Sequence, residues 1–476
     1  MKNRHFCWDN HLIETSENVQ IQMHKPEKQN IALICDNLWE GHHNGYPCVL
    51  KVGNMYRLYY RAANSFCRED GEFVELPSVI CMAESYDGIH FRKPNVGKHL
   101  FNGTRNNNIV VSLDEHIDNF SVCYDTNPNC PPDEKFKALS ALKDGLVYFA
   151  SADGLEFHRK YVMPLHGAFD SYNLTFWDET TQQYFAYYRG YHLPDGTELP
   201  KDATPYQQEV AVRDVRVATS KDFVNWTEYY KIEFEEGQSD SSLYTNQIVK
   251  YHRSANTFIG FPTRYVKQAS DDPNFKYLPL PDYRAMVIDK FGRAGSSFTD
   301  CVIMTSRDGF TFNRRDEAFM TPGIENRDNW WYGDCYMAHG LVETMAEEDG
   351  APNELSFYVG ENYRVKNVHF RRYTLRLDGF FSWYAPYAGG EVLTRPIVVD
   401  GDELHINFAT AGLSNMQIIL CDEDGNELDG YASYKIFGDS VDRPVEFDRP
   451  LSALKGQTVR LKIKLRDAHL YSFIFE

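Results

Sequence analysis

Short runs of alternating apolar and polar residues, broken by Gly, Asn, Asp and Ser, dominate the chain from Ile31 onward. Successive side chains of a strand point to opposite faces, so this alternation marks strands with one buried face. Apolar residues at helical spacing are nearly absent, a short piece around Ile324–Trp331 being the exception. Tyr46–Val52 and Met55–Arg61 flank Gly53-Asn54, a dipeptide suited to a tight hairpin turn. Phe120–Leu142, Phe169–Arg189, Leu243–Tyr265 and Tyr336–Tyr363 read as four further hairpins, rich in aromatic and β-branched residues.

Outside these hairpins one unit recurs, with the pattern S-x-D-[GF]-x-x-[FW]. It occupies Ser85–Phe91, Ser151–Phe157, Ser220–Trp226 and Ser306–Phe312, at spacings of 66, 69 and 86 residues. The Ser and Asp side chains satisfy turn amides, the Gly takes a positive φ, and the aromatic residue anchors the returning strand. A hairpin plus its outer turn makes about four strands, the size of a propeller blade, and repetition at this period indicates a propeller or array. A degenerate fifth copy lies at Leu377–Gly379. The chain therefore predicts an all-β protein: an N-terminal surface arm over 1–30, a five-bladed β-propeller over 31–380 and a C-terminal β-sandwich over 381–476. In the last part, turns at Asp400-Gly401 and Asp424-Gly425 separate clear strands.

Composition narrows the partners. The formal net charge is −19 and no Lys/Arg run offsets it, which argues against nucleic acid. No apolar run approaches the roughly 20 residues of a membrane helix, and the N-terminal MKNRHFCWDN has no apolar core of a secretory signal. The ten cysteines are scattered without a C-x-x-C, which favours reduced, buried thiols in a cytoplasmic protein over disulfides or a zinc cluster. Neither a metal nor another cofactor is expected. His42-His43 are adjacent, so on a strand they face opposite ways and do not share an ion. His339 reads as a core histidine. Self-association is left open. The heavy load of Tyr and Phe, 31 of each, suits a β core and also the stacking of rings on sugars.

Inner strands of a propeller surround one axis, so residues at their entrances converge. Acidic residues stand at three expected entrances: Asp36 and Glu40 before the first hairpin, Asp125 in the second, and Asp170 in the third. Blade four offers Tyr244, Asn246 and Gln247, and blade five offers Glu361. Arg61, Arg189 and Arg264 end second inner strands, where they could bind sugar hydroxyls or pair with the acids. Converging carboxylates in an aromatic pocket suit glycosyl transfer, one attacking or activating water while another protonates the leaving oxygen. The turn acids Asp87, Asp153, Asp222 and Asp308 are read as structural.

With its five hairpins, its S-x-D-G turns and Asp36, Asp125 and Asp170 on blades one to three, the chain resembles the five-bladed propeller glycoside hydrolases. These comprise the invertase-like families 32 and 68 and the arabinanase-like families 43 and 62. Through DNLWEG, DTNPNCPP, LYTNQI, GFPTR and RRYTLRLDGF it is similar to bacterial proteins described as family-32-like. The resemblance implies a nucleophile or base at Asp36, a supporting Asp125 and a general acid at Asp170, with no cofactor and a small carbohydrate substrate, such as a furanoside or galactoside. Blade three carries Asp where those families use Glu, and Arg213-Asp214 compete for the acid's role. Two alternatives share the fold: a glycoside phosphorylase, whose phosphate would need cations such as Arg61, Arg189 and Arg264, and a non-catalytic carbohydrate-binding propeller.

Overall fold

Each predicted hairpin forms the inner part of a blade in the computed structural model, which describes residues 4–63, 65–67, 73–75, 77–200, 202–235, 237–238, 240–363 and 367–476. The protein is mostly β, with the blades in a five-bladed propeller arrangement. Blade one orders Gly45–Val52, Met55–Ala62, Val79–Ser85 and Ile109–Ser112 from the axis outward. Blade two orders Ser121–Tyr124, Phe136–Leu142, Gly145–Ser151 and His158–Val162, and blade three Leu174–Asp178, Gln183–His192, Val212–Ser220 and Tyr230–Lys231. Blade four is split. Val249–Lys250, Phe258–Gly260, Met304–Ser306 and Thr311–Arg314 form its lower part, and Thr263–Lys267 pairs with Ser297–Cys301 above. An excursion between these last two carries the helix Pro281–Phe291, which the apolar spacing had not suggested.

Blade five comprises Tyr336–Met337 with Val342–Thr344, then Glu354–Glu361 and His369–Arg376. Its outermost strand is Glu27–Ile34, from the other end of the chain. The expected surface arm is therefore a set of strands. Ile13–Glu17 pairs with Gly390–Thr394 and Gln20–Met23 with Phe381–Ala385 in the C-terminal sheet, before Glu27–Ile34 closes the ring. Alternation explains the pairing: Ile13, Val19 and Ile21 pack against the C-terminal core of Trp383, Leu404, Ile406, Leu461 and Phe473.

The axis is filled, not open. Val122 N–H donates to Cys48 Sγ, Tyr172 Oη to Pro47 O, Asn246 Nδ2 to Tyr172 O, Gln247 Nε2 to Met337 O, and His339 N–H to Pro47 O. These bonds tie the inner strands of all five blades together. A ligand site on the axis therefore lies at one of its ends.

The repeated turns close as the spacing predicts. In the first, Ser85 Oγ accepts from Gly88 N–H, and Asp87 Oδ1 accepts from Ile89 and His90 N–H. A second device ties neighbouring blades. Tyr59 of blade one donates to Gly154 O of blade two at 2.9 Å, Tyr187 of blade three to Gly309 O of blade four at 2.8 Å, and Tyr358 of blade five to Gly88 O of blade one. Such a bond contributes about 0.5–1.5 kcal/mol net. Here it also accounts for the glycines. Gly154 has φ +74°, and a Cβ there would stand 2.5 Å from Tyr59 Oη. Blade three has Phe223 instead, at φ 65°, its ring packed on Tyr148, Tyr184 and Trp226.

Propeller and C-terminal sheet meet at Asp378, which is fully buried. Its Oδ1 accepts from Tyr251 Oη and Arg253 Nε, and its Oδ2 from Ser472 Oγ. The described cysteines are buried and unpaired. Among the described residues, no helix is long and apolar enough to cross a membrane.

Candidate active site

Register decides which residues share an end of the axis. In blade one Gly45 pairs with Arg61, so the entrance of the inner strand and the end of the second strand lie level. In blade two Ser121 pairs with Leu139, while Tyr124, Phe136 and Ser151 lie in one row. Asp125 follows Tyr124 and so sits at the level of the Ser151 turn, on the opposite face of the propeller from Arg61. There its Oδ2 accepts from Tyr184 Oη at 2.8 Å and lies 3.5 Å from Lys137 Nζ, with both charged groups buried. Asp125 is a structural residue between blades two and three. Asp118 stands at the entrance in its place, three residues ahead of Ser121.

Asp118 and Asp170 occur in the same arrangement. Arg61 Nη1 donates to Asp118 Oδ1 at 2.9 Å and to its carbonyl at 2.6 Å. Arg189 Nη2 donates to Asp170 Oδ1. Burial disfavours the charge of Asp118, but a hydrogen bond from His116 and the positive charges of Arg61 and Arg189 outweigh it, holding the carboxyl below its ordinary range. The reach of Arg189 to Asp118 links the two pairs. Asp118 has a side chain 29% exposed and Asp170 one 67% exposed, so both open to solvent, whereas the two arginines are buried.

Tyrosines wall the same end. Tyr244, Tyr332 and Tyr336 form a cluster with Tyr265 and Tyr363 packed against it, and the Tyr244 and Tyr336 rings stack at 5.8 Å. Arg61 lies over the Tyr46 ring and donates from Nη2 to His43 Nε2 at 3.0 Å; His43 in turn bonds Tyr363 Oη. Burial raises the Tyr46, Tyr332 and Tyr336 phenols well above their ordinary value, so they remain neutral. Arg189 sits over the rings of Tyr191 and Tyr244, and Arg213 over Tyr191, Tyr244 and, at 4.3 Å, Tyr265.

The other expected site residues fall elsewhere or are engaged in structure. Asp36, 71% exposed, and the buried Glu40 both hold Lys93; Glu40 also accepts from Tyr60 Oη at 2.5 Å, within the joint of blades five and one. Neither bonds Asp118 or Asp170. Tyr265 faces the wall, so Arg264 beside it faces away, and it grips Asp300 with Nη2 at 2.7 Å and Nε at 3.0 Å. Asn246 and Gln247 spend their amides on the axial bonds described above. Asp214 faces outward to His192 and Arg216.

Glu361 accepts from His369, Arg371, Tyr373 and Lys28. Burial would raise its pKa, but these donors hold it well below its usual range. It lines a cavity of about 60 Å³ with Asp334, whose carboxyl burial pushes up to about 7. Ligand pockets usually occupy about 300–1,000 Å³, so this cavity has room for water, not for a sugar.

Asp118 and most of the tyrosine wall are the members that reasoning from sequence missed; Arg213 was singled out only with Asp214 as a rival acid, and His43 only as a metal ligand set aside. The entrance rule that selects Asp170, four residues before Leu174, also selects Asp118; the turn-rich DTNPNCPP drew attention past it. Among the described residues, no group of three or more His, Cys, Asp or Glu side chains is arranged to hold a metal ion.

No protein-family model matches the chain, and no curated protein matches it. Solved structures with a similar fold include one from a study of the GH130 family of mannoside phosphorylases, which contains glycoside hydrolases that target β-1,2 mannosidic linkages. It is 12% identical and covers 74% of this chain and 94% of that one at a TM-score of 0.43. A glycosyl hydrolase from Bacteroides ovatus is 12% identical over 74% and 93% at 0.41. An N-acetylgalactosamine deacetylase from F. plautii is 10% identical over 93% and 95% at 0.41. The expected invertase-like families have no counterpart among these three. At such scores the likeness says nothing of substrate.

Proposed function

We propose that the protein cleaves glycosidic bonds at this end of the axis, with Asp118 and Asp170 carrying the reaction. One observation supports this most: two carboxylates from neighbouring blade entrances, each held by an arginine, converge beside a wall of tyrosines. Ring faces suit sugar C–H surfaces, and paired carboxylates suit acid–base work on an acetal.

Asp118, held ionised, takes a proton from water as the water oxygen bonds to the anomeric carbon. The bond from that carbon to the leaving oxygen breaks, and Asp170 gives that oxygen a proton. A bound sugar covers Asp170, whose side chain is 67% exposed without one. Arg61 and Arg189 keep the two groups in place.

The test is turnover of a panel of nitrophenyl and alkyl glycosides by the wild type, Asp118→Asn and Asp170→Asn. Losing an acid or base typically costs about 10²–10⁴-fold. Asp118→Asn is expected to lose activity on both kinds of substrate. Asp170→Asn is expected to lose more on alkyl glycosides, whose leaving groups need the proton, than on nitrophenyl ones. Substrates cleaved equally well by all three proteins would end the proposal.

A further inference from the structure

The mouth of the propeller carries more positive charge than its acids balance. Asp118 answers Arg61 and Asp170 answers Arg189. Arg213 and Arg293 stand on the same tyrosine wall: Arg213 over Tyr265 at 4.3 Å, and Arg293, on the exposed rim, over Tyr332 at 5.9 Å. Among the described residues neither has a carboxylate partner. Arg213 lies across from Tyr191 in the sheet, so its side chain shares the face of Arg189, while Asp214 next to it points outward. Arg189 is 2% exposed, yet its Nε and Nη1 have no hydrogen-bond acceptor; nor has Nε of Arg213. Leaving buried donors unmet is costly, about 1–3 kcal/mol each. The surplus is also local, because the chain as a whole is at −19.

We infer that this mouth binds an oxyanion, a carboxylate or a phosphate, with Arg213 and Arg293 as its charge partners; the inference rests on the glycosidase reading for the location of the sugar. A guanidinium fork matches both anions in geometry. The flanking phenols, kept neutral, remain O–H donors. The oxyanion has two sources: an acidic group on the sugar itself, as in a uronoside, or free phosphate beside a neutral sugar.

Binding is measured by calorimetry on the full chain with glucuronate, glucose and inorganic phosphate as separate probes, for the wild type, Arg213→Gln, Arg213→Lys, Arg293→Gln and Asp170→Asn. Circular dichroism confirms that each variant is folded. The expected result is anion binding that Arg213→Gln weakens tenfold or more, that Arg213→Lys partly restores and that added salt reduces. Arg293→Gln weakens it less, being more exposed, and Asp170→Asn, which removes the carboxylate beside Arg189, does not weaken it. Glucuronate binding above glucose assigns the charge to the sugar; phosphate binding without that preference assigns it to free phosphate. Either supports the inference. No anion binding, or binding unchanged in Arg213→Gln and Arg293→Gln, overturns it. Because Asp170→Asn is read by binding alone, loss of glycoside turnover there leaves the inference intact, and neutral glycosides cleaved without anion binding sink the inference but not the glycosidase.

Discussion

Asp125→Asn and Asp118→Asn are the same chemical change a few residues apart, and the structure expects opposite outcomes. Asp125 is 1% exposed. Its Oδ2 accepts from Tyr184 Oη at 2.8 Å and faces Lys137 Nζ at 3.5 Å, and its Oδ1 accepts from Asn127 N–H at 2.9 Å. An asparagine can keep the bond from Asn127. It then presents an NH₂ to Tyr184 and Lys137, and the charge opposite Lys137 is gone. Breaking a buried ion pair outright costs about 3–5 kcal/mol. Lys137 retains Glu134 at 3.2 Å and the Tyr148 hydroxyl at 2.9 Å, so its charge is not abandoned. A loss of about 2–3 kcal/mol follows, in the range for a hydrogen bond to a charged group. Urea unfolding of wild type and variant gives the difference through the transition midpoint, with the slope unchanged. Turnover per folded molecule should stay within about threefold of wild type in Asp125→Asn, since no catalytic step uses it, and should collapse in Asp118→Asn by the factor given for an acid or base. An Asp125→Asn protein of undiminished stability and no activity would refute the placement of the two acids.

Two further outcomes follow from the frame. Gly154→Ala brings a Cβ to 2.5 Å from Tyr59 Oη and 2.8 Å from Phe136 at a left-handed φ of +74°, whereas Gly103→Ala, at φ +80°, meets nothing within 4 Å; backbone strain alone costs about 1–2 kcal/mol, so calorimetric melting should show Gly103→Ala lowered by that amount and Gly154→Ala by clearly more. His192 meets Asp214 through Nδ1 and Asp240 through Nε2, donating to both when charged, and these carboxylates raise its pKa above the ordinary value despite burial. Its stabilising contribution is therefore full below about 6.5, the unfolded value, and lost as pH rises through the raised folded value. The melting-temperature gap between wild type and His192→Gln should shrink across that rise, and a gap that widens with pH would show the linkage to be wrong.

The blades were legible because strand alternation and turn chemistry are local. Ser85, Asp87 and Gly88 make their bonds within six residues, and so do their counterparts at Ser151, Ser220 and Ser306. Direction along the axis was also local, since each inner strand and its partner form a hairpin. Placing Asp125 needed one thing more: whether it lies before or after its strand. Asp118 and Asp125 are seven residues apart, on either side of an inner strand that is only Ser121–Tyr124. Facing was harder still. Arg264 and Arg189 look alike as strand-end arginines, yet one faces Asp300 and the other the tyrosine wall, and this depends on the blade's packing. Glu40 lay in a string that suggested chemistry, but its acceptor atoms are spent on Tyr60 and Lys93, partners 20 and 53 residues away. Residues 4–30 hold short, polar strands whose partners lie more than 300 residues on, beyond the reach of any local pattern.

That last pairing sets an order of assembly. Ile34 stands opposite His369, Ile13 opposite Thr394, and His5 opposite Phe473. The strands Glu27–Ile34, Ile13–Glu17 and His5–Phe6 thus wait for partners more than 300 residues further on, and Ala32 and Leu33 reach their burial only once the last blade has formed. Long-range pairings of this kind are slow to form and leave sheet edges open meanwhile. The same geometry makes His5–Phe6 and Thr458–Phe475 neighbours in one sheet, so strands more than 450 residues apart in sequence close the fold together.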